Sequence, residues 1–173
     1  LEEVMQANLD RLGAPEFDAA DRAFAKEIRK TFTAQEIATT FKRIGIKSDP
    51  ELLLCYFVAP LDRNSEGGEG STDVGDVSWV VPTVQARVAT CAVGTPFHTW
   101  QLTAHGKTPV AHKGMVHAAK IMAGTARDLF SKPETLNAAK TAHKDRLRED
   151  PYICPLDDDV VPPIPGIDTN RLL

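Results

Sequence analysis

The sequence predicts an α/β fold, because two apolar segments of strand-like composition lie among helical segments. Residues 52–59, LLLCYFVA, form a short continuous apolar run that ends at Pro60, which is typical of a strand buried on both faces. Residues 77–93, VSWVVPTVQARVATCAV, are rich in β-branched side chains, and Pro82 indicates an edge strand, a bulge or a break into two strands. Helical periodicity precedes and follows these segments, so we expect helices packed around a sheet.

Three helices are expected before the first strand. Apolar side chains fall on one helical stripe in the first dozen residues, and Gly13 supplies a stop signal. Asp18 is a candidate N-cap for the second helix. Thr33 and Glu36 have the spacing of a capping box, from which a third helix is expected to run to about Gly45.

Two more helices are expected after the second strand segment. The first runs from about Ala111 to Phe130, and the small and flexible side chains on one of its faces predict close packing on the sheet. That face comprises Met115, Ala118, Ala119, Met122, Ala126 and Leu129. Ser131, Pro133 and Glu134 then form a capping-box pattern with proline in the first turn of a peripheral helix.

The composition favours one globular domain with small or neutral partners. The chain has 173 residues, of which 42% are hydrophobic, and a formal net charge of -4 without a long basic run, so we expect no nucleic-acid or membrane partner. Since no long apolar stretch or leader pattern is present, the sequence predicts a cytoplasmic location. Residues 1–150 are expected to form the domain, and residues 151–173 a proline-rich acidic tail. The three widely spaced cysteines are expected to be free thiols.

A polar, glycine-rich segment separates the two predicted strands. The glycines at 67, 68, 70 and 75 lie among Ser, Thr, Asp and Glu residues without periodicity. Such a segment is either a functional loop that lets a ligand approach the backbone or a mobile surface loop. No GK[ST] follows, so the pattern is not that of a phosphate-binding loop.

His98 is the histidine whose context most favours a functional role. It follows a glycine-proline turn just past a predicted strand end, where Phe97 and Trp100 flank it. It is a candidate metal ligand or general base. The sequence has no HxxxH or HExxH motif and no carboxylate at ligand spacing nearby, so local sequence alone builds no metal site.

The other four histidines are expected to have structural roles. We expect one in a solvated turn beside Gly106 and one at a helix start, where it caps the helix or lines a cleft. The remaining two are expected to lie at the surface or in packing contacts. In chain order they are His105, His112, His117 and His143.

Four segments together resemble a known enzyme family. They are MQANLDRLGAPEFDAADRAFAKEI near the start, GSTDVGDVSWVVPTVQ at 70–85, GTPFHTWQ at 94–101 and AHKGMVHAAK at 111–120. The resemblance is to the C-terminal part of the dimetal amidohydrolases related to aminoacylase and the carboxypeptidases, in the p-aminobenzoyl-glutamate hydrolase branch. It implies a zinc-peptidase-like α/β catalytic domain with a central mixed sheet flanked by helices, and without the family's lid domain. It also implies two divalent ions, zinc or manganese, that activate water to attack the amide of an N-acyl or N-aroyl amino acid or a dipeptide.

The resemblance assigns roles to five residues of this chain. His98 matches the histidine that completes the coordination of one metal ion. Gly70, Ser71, Thr72 and Asp73 match the segment that lines the substrate pocket, although Thr72 stands where the family often has an acid.

The family's other metal ligands and its general base have no counterpart before the glycine-rich segment. We therefore expect a C-terminal catalytic-domain segment that carries no catalytic residue and is inactive by itself. It would need the N-terminal half of the catalytic domain, in a homodimer or in a hetero-oligomer with a related subunit.

Two other hypotheses stay open. The chain could be a non-catalytic module of the same fold that binds a small acid through the glycine-rich loop without metal. Alternatively, Cys91 and His98 could form a thiol-imidazole pair.

Overall fold

A computed structural model describes residues 1–43, 46–61, 72–157 and 159–161, and its regular elements in these ranges are α-helices. In chain order they are α1 (Glu2–Leu12), α2 (Ala19–Arg29), α3 (Ala34–Arg43), α4 (Val74–Val80), α5 (Trp100–His105), α6 (Pro109–Ser131) and α7 (Pro133–Glu149). None of these helices has the length and apolarity needed to cross a membrane.

The predicted α/β fold with a central mixed sheet is wrong for the part of the chain that the structure describes, because no strand occurs there. Residues 52–59 and 82–93 have no regular secondary structure, and the start of the second predicted strand segment is helix α4 instead. One backbone hydrogen bond joins the two irregular segments, from Val93 N–H to Leu53 O at 2.9 Å. A strand requires a partner along its whole length, whereas an apolar run requires only burial, and here helices provide that burial.

The two irregular segments form the centre of the core. One buried cluster combines them with α2 and α6, and its members are Phe17, Ala25, Ile28, Leu54, Ala92 and Val110. A second cluster joins them to α3 through Phe41, Leu52 and Val93. The sequence therefore identified these segments as core correctly, although their conformation is not that of strands.

The end of α1 and the starts of α2 and α3 agree with the sequence predictions, whereas the predicted end of the third helix at about Gly45 lies outside the described residues. Gly13 follows α1 with φ 71, a left-handed conformation that favours glycine. The Asp18 carboxylate accepts hydrogen bonds from the first turn of α2, and the Asp21 carboxylate accepts one from the Asp18 N–H, which completes a capping box. Before α3, Glu36 N–H donates to Thr33 Oγ1 at 3.2 Å and Thr33 N–H donates to the Glu36 carboxylate at 2.7 Å.

Helix α6 buries a different face from the one predicted. Met115 and Met122 are 61% and 63% exposed, whereas the buried residues are Val110, Gly114, Ile121, Thr125 and Asp128. Helix α1 covers part of this face, where Asn8 Nδ2 donates to Asp128 Oδ2 at 2.9 Å. The helix therefore packs through Val110, Ile121, a glycine and a polar pair rather than through its methionines.

Helix α7 begins at Pro133 as expected, but the predicted capping box is absent. The Ser131 hydroxyl donates to Arg127 O at 2.7 Å inside α6, and the N-cap position of α7 is Lys132, which makes no side-chain cap bond.

Candidate functional site

His98 lies at the exposed tip of a loop whose two ends are joined by a buried histidine. Helix α5 ends at His105, whose Nε2 accepts a hydrogen bond from Ala92 N–H at 3.0 Å. Its Nδ1 donates to Gln101 O at 2.8 Å. The His105 side chain is 1% exposed and lies edge-on to Phe24, with the ring centroids 5.2 Å apart. We call residues 92–105 the His98 loop.

Two threonines fix the backbone on either side of His98. Thr95 Oγ1 donates to Ala92 O at 2.6 Å in the first turn of the loop. Thr99 Oγ1 donates to Pro96 O at 2.8 Å and also accepts from Leu102 N–H at 3.4 Å, which caps α5. Hydrogen bonds within the loop therefore restrain the backbone on both sides of His98.

Gly94 fits the first turn of the loop against α3. Its φ of 98 lies in the region that favours glycine. A Cβ at this position would come within 2.9 Å of Ile37 Cγ1 and 3.3 Å of the Phe32 ring. Both the conformation and the close approach therefore require glycine here.

His98 itself is exposed and has φ 60, which makes it the non-glycine residue with positive φ in the described ranges. A side chain in this conformation costs roughly 1–2 kcal/mol relative to ordinary backbone regions. Such strain persists only where the surrounding contacts impose it, and it is concentrated at functional sites. The hydrogen bonds of the His98 loop are those contacts.

The described residues do not by themselves fit a two-metal centre. Across these ranges, no three His, Cys, Asp or Glu side chains lie close enough to hold a metal ion together. Both ring nitrogens of His105 are engaged by the backbone, so it is no ligand. The His98 loop would offer such a centre one imidazole.

The described residues of the predicted pocket segment are not hydrogen-bonded to His98. Thr72 and Asp73 are exposed, and Thr72 Oγ1 accepts from Val74 N–H at 3.4 Å at the start of α4. Gly70 and Ser71 lie outside the described residues. No hydrogen bond or ion pair links Thr72 or Asp73 to His98 in the described parts of the chain.

Helix α4 is attached to α7, whereas the His98 loop packs on α2 and α3. The His143 ring makes a 3.2 Å hydrogen bond with Ser78 O, and the Arg146 guanidinium lies 4.4 Å from the Trp79 ring centroid. The Tyr152 ring, from the segment after α7, stacks on Trp79. The segments that carry the two predicted parts of the site are thus packed against different helices.

The expectation of a solvated His105 is wrong. The sequence shows a polar residue beside glycine, and its burial comes from residues distant along the chain, such as Phe24. Because burial disfavours the charged ring, the pKa of His105 is lowered from its usual value. Nothing in the local sequence pattern indicates that His105 joins the two ends of the His98 loop. We call this pair of hydrogen bonds, to Ala92 and to Gln101, the clasp.

Three other histidines match their expected roles, and one of them is His143, whose contact with Ser78 O packs α7 on α4. His117 makes a 2.8 Å hydrogen bond with Gly13 O, which is a packing contact between α6 and the end of α1. His112 lines a shallow cavity of about 510 Å³ beside Lys113 and Lys120, as expected for a histidine at a cleft.

Cys91 does not have the environment of a nucleophile. Its side chain is partly buried, and burial raises the pKa of the thiol above its usual value. The neutral thiol is the wrong form for a thiol-imidazole pair, so the structure offers this hypothesis no support.

A second cavity of about 390 Å³ lies between α1 and the irregular segments. Apolar side chains dominate its lining, and Gln6, Gln85, Arg87 and His117 supply polar groups. It is separate from the His98 loop, none of whose residues lines it.

Comparison with known proteins finds relatives that are named as hydrolases. The relatives found are named as part of a hydrolase and as dipeptidases, and they confirm the predicted resemblance to the amidohydrolase and peptidase family. The chain is 37% identical over 172 residues, 94% of its length, to one of the subunits of p-aminobenzoyl-glutamate hydrolase from Escherichia coli strain K12. It is 33% identical over 94 residues to human Xaa-Arg dipeptidase and 35% identical over 91 residues to the mouse protein.

The chain covers a minor part of each relative. It spans 36% of the length of the Escherichia coli protein, 21% of the human dipeptidase and 20% of the mouse dipeptidase. The two dipeptidase matches cover 53% and 51% of this chain. No family model and no solved structure matches it.

Proposed function

We propose that the protein containing this chain hydrolyses the amide bond of N-acyl or N-aroyl amino acids, such as aminobenzoyl-glutamate, or of dipeptides. The names of the relatives support the reaction class. The observation that carries the proposal for this chain is the exposed His98, held at φ 60 by a loop with bonded ends. A strained, exposed histidine in an otherwise well-anchored loop is more typical of a site residue than of a surface residue.

In this proposal His98 supplies one ligand to a centre that holds two divalent ions, zinc or manganese. Imidazole nitrogen is a common ligand of zinc, whereas manganese favours oxygen ligands, which other residues of the centre would supply. Because a catalytic zinc site needs about three protein ligands, the others would come from residues outside those described, including the N-terminal half of the catalytic domain. The isolated 173-residue chain would then be inactive.

The segment Gly70 to Asp73 is proposed to contact the substrate. The exposed hydroxyl of Thr72 and carboxylate of Asp73 offer polar groups for this role. The contact would require this segment and the His98 loop to face the same substrate.

The assembly and location are further parts of the proposal. One relative is named as a subunit, which supports a hetero-oligomer with a related subunit, and a homodimer of the complete enzyme is the other arrangement expected. The proposed location is the cytoplasm.

The test is an activity assay on the protein at its natural length. We expect hydrolysis of aminobenzoyl-glutamate or of a dipeptide that ends in arginine, loss of this activity with a chelator, and recovery with zinc or manganese. His98→Ala should lower kcat/KM roughly 100-fold or more, since it removes a ligand. His112→Ala, which changes an exposed histidine outside the loop, should have little effect. Full activity in His98→Ala would contradict the proposal.

A non-catalytic module that binds a small acid is the second candidate. The cavity of about 390 Å³ favours it, because Arg87 supplies a cation at an otherwise apolar lining. This alternative predicts that an N-acyl amino acid binds the protein without added metal and is not hydrolysed.

A further inference from the structure

We infer that His105 is the positioning residue of the His98 loop, holding the loop in the conformation that presents the His98 imidazole. This inference deepens the proposed function and rests on it for the role of His98. The contacts that carry it are the hydrogen bonds of the His105 ring to Ala92 and Gln101.

The two hydrogen bonds of His105 define one tautomer. The partner of Nε2 is the backbone N–H of Ala92, which can only donate, so Nε2 must be the acceptor. The partner of Nδ1 is the carbonyl oxygen of Gln101, which can only accept, so Nδ1 carries the proton. A neutral ring in this tautomer satisfies both groups, and no other protonation state does so.

These hydrogen bonds restrain the loop because the His105 ring connects its two ends. Ala92 begins the His98 loop and His105 ends it, so the ring joins the two ends and shortens the flexible span around His98. Ala92 O also accepts a hydrogen bond from the Thr95 hydroxyl, so Ala92 takes part both in the clasp and in the first turn of the loop. The edge contact with Phe24 fixes the ring against α2, a rigid element.

His105 acts through the loop and not on a substrate. Its side chain is 1% exposed and both its nitrogens are bonded, so it cannot reach a metal ion or a ligand. Its effect on the site must pass through the backbone that carries His98. A replacement should therefore change the order of the loop, and should change metal binding only when His98 is present.

His105→Phe tests the clasp with the protein at its natural length. Phenylalanine keeps the ring volume and the contact with Phe24 but removes the acceptor and the donor. Hydrogen exchange of the amides in residues 93–100 should become about tenfold faster or more, because a buried hydrogen bond is lost, while exchange in α6 stays unchanged. His117→Phe, which removes a histidine contact between α6 and Gly13, is the matched control and should leave the loop unchanged.

A double-mutant cycle then separates positioning from general destabilisation. The readout is zinc affinity, measured by competition with a chelator, in the natural-length protein with and without His98→Ala. We expect His105→Phe to weaken zinc binding about tenfold when His98 is present and to have no effect in the His98→Ala background. Provided that His98→Ala alone weakens zinc binding, an equal effect of His105→Phe in both backgrounds would overturn the inference.

Different results would contradict the proposed function and the inference about His105. If zinc affinity does not respond to His98→Ala, the proposed function fails, while faster exchange in His105→Phe would still support the clasp. Unchanged exchange in a folded His105→Phe variant would overturn the clasp. If that variant does not fold, NMR of the unaltered protein tests the clasp instead. We expect a scalar coupling between the Ala92 amide nitrogen and His105 Nε2 across their hydrogen bond, and its absence would overturn the inference.

Discussion

The carbonyl oxygen of Ala89 lies against the backbone of Gly114 in α6, and the space between them is too small for a side chain. A Cβ at Gly114 would clash with this oxygen and approach Thr90 Cγ2 to 2.8 Å. The irregular segment before the His98 loop therefore rests directly on a helix backbone.

Gly114→Ala should lower the free energy of unfolding by about 1–3 kcal/mol, because the added methyl group forces the helix away from Ala89. Gly75→Ala in α4 is the matched control, since a Cβ there has no neighbour within 4 Å. Alanine at Gly75 should stabilise by roughly 0.5 kcal/mol or have no effect. Urea denaturation measures both. Equal stability of the two variants would mean that the close approach does not exist in solution.

His98→Gly should be more stable than His98→Ala by roughly 1 kcal/mol, because glycine adopts φ 60 without strain whereas alanine does not. Both variants lack the imidazole, so both should lose the proposed activity. Thermal or urea denaturation of the pair measures the difference. If the alanine variant is the more stable one, His98 does not adopt the left-handed conformation.

Acidification should destabilise the fold through His105. Burial lowers the pKa of His105 from its usual value of 6.5, so the unfolded chain binds the proton more readily than the folded chain does. The stability linked to His105 is therefore complete above pH 6.5 and is lost as the pH falls below that value. Urea midpoints between about pH 5 and 8 measure this. His105→Phe should flatten the slope, and an unchanged slope would contradict the buried neutral ring.

Asp18 should titrate well below an ordinary carboxylate. The hydrogen bond from Lys113, and next the backbone N–H of Asp21, lower the pKa of Asp18 from 3.8 to about 2. Since the folded pKa is depressed, the linked stability is present above pH 3.8 and is lost as the pH falls toward 2. Carboxyl chemical shifts follow this titration by NMR.

Lys113→Met should return the Asp18 pKa toward 3.8, because it removes the largest cause of the shift. The control is Lys30→Met, which removes an exposed lysine paired with Glu27 in another part of the chain. This control should leave the Asp18 titration unchanged. A pKa near 3.8 in the unaltered protein would contradict the contact between α2 and α6.

The end of α1 and the starts of α2 and α3 were predictable from sequence because their determinants are local. Asp18, Thr33 with Glu36, and Gly13 each act within a few residues of the helix end that they define. Residues 52–59 differ, since the sequence indicates burial but not the partner that covers the segment. Helices cover it among the described residues, so the inference from burial to strand failed.

The candidate site was predictable only in part. His98 could be singled out because a glycine-proline turn precedes it, although it does not follow a strand. The clasp at His105 was missed because its burial depends on Phe24 and on Ala92, which lie in other segments. Loop closure by a buried ring is a tertiary property, and local composition gives no sign of it.

The metal content of the natural-length protein, with and without His98→Ala, tests the central claim most directly. Elemental analysis after removal of loosely bound ions gives the number of divalent ions per chain. We expect about two ions of zinc or manganese in the unaltered protein and a clear loss in the variant. Equal metal content in the two proteins, or no bound metal in either, would contradict the role of His98 as a ligand.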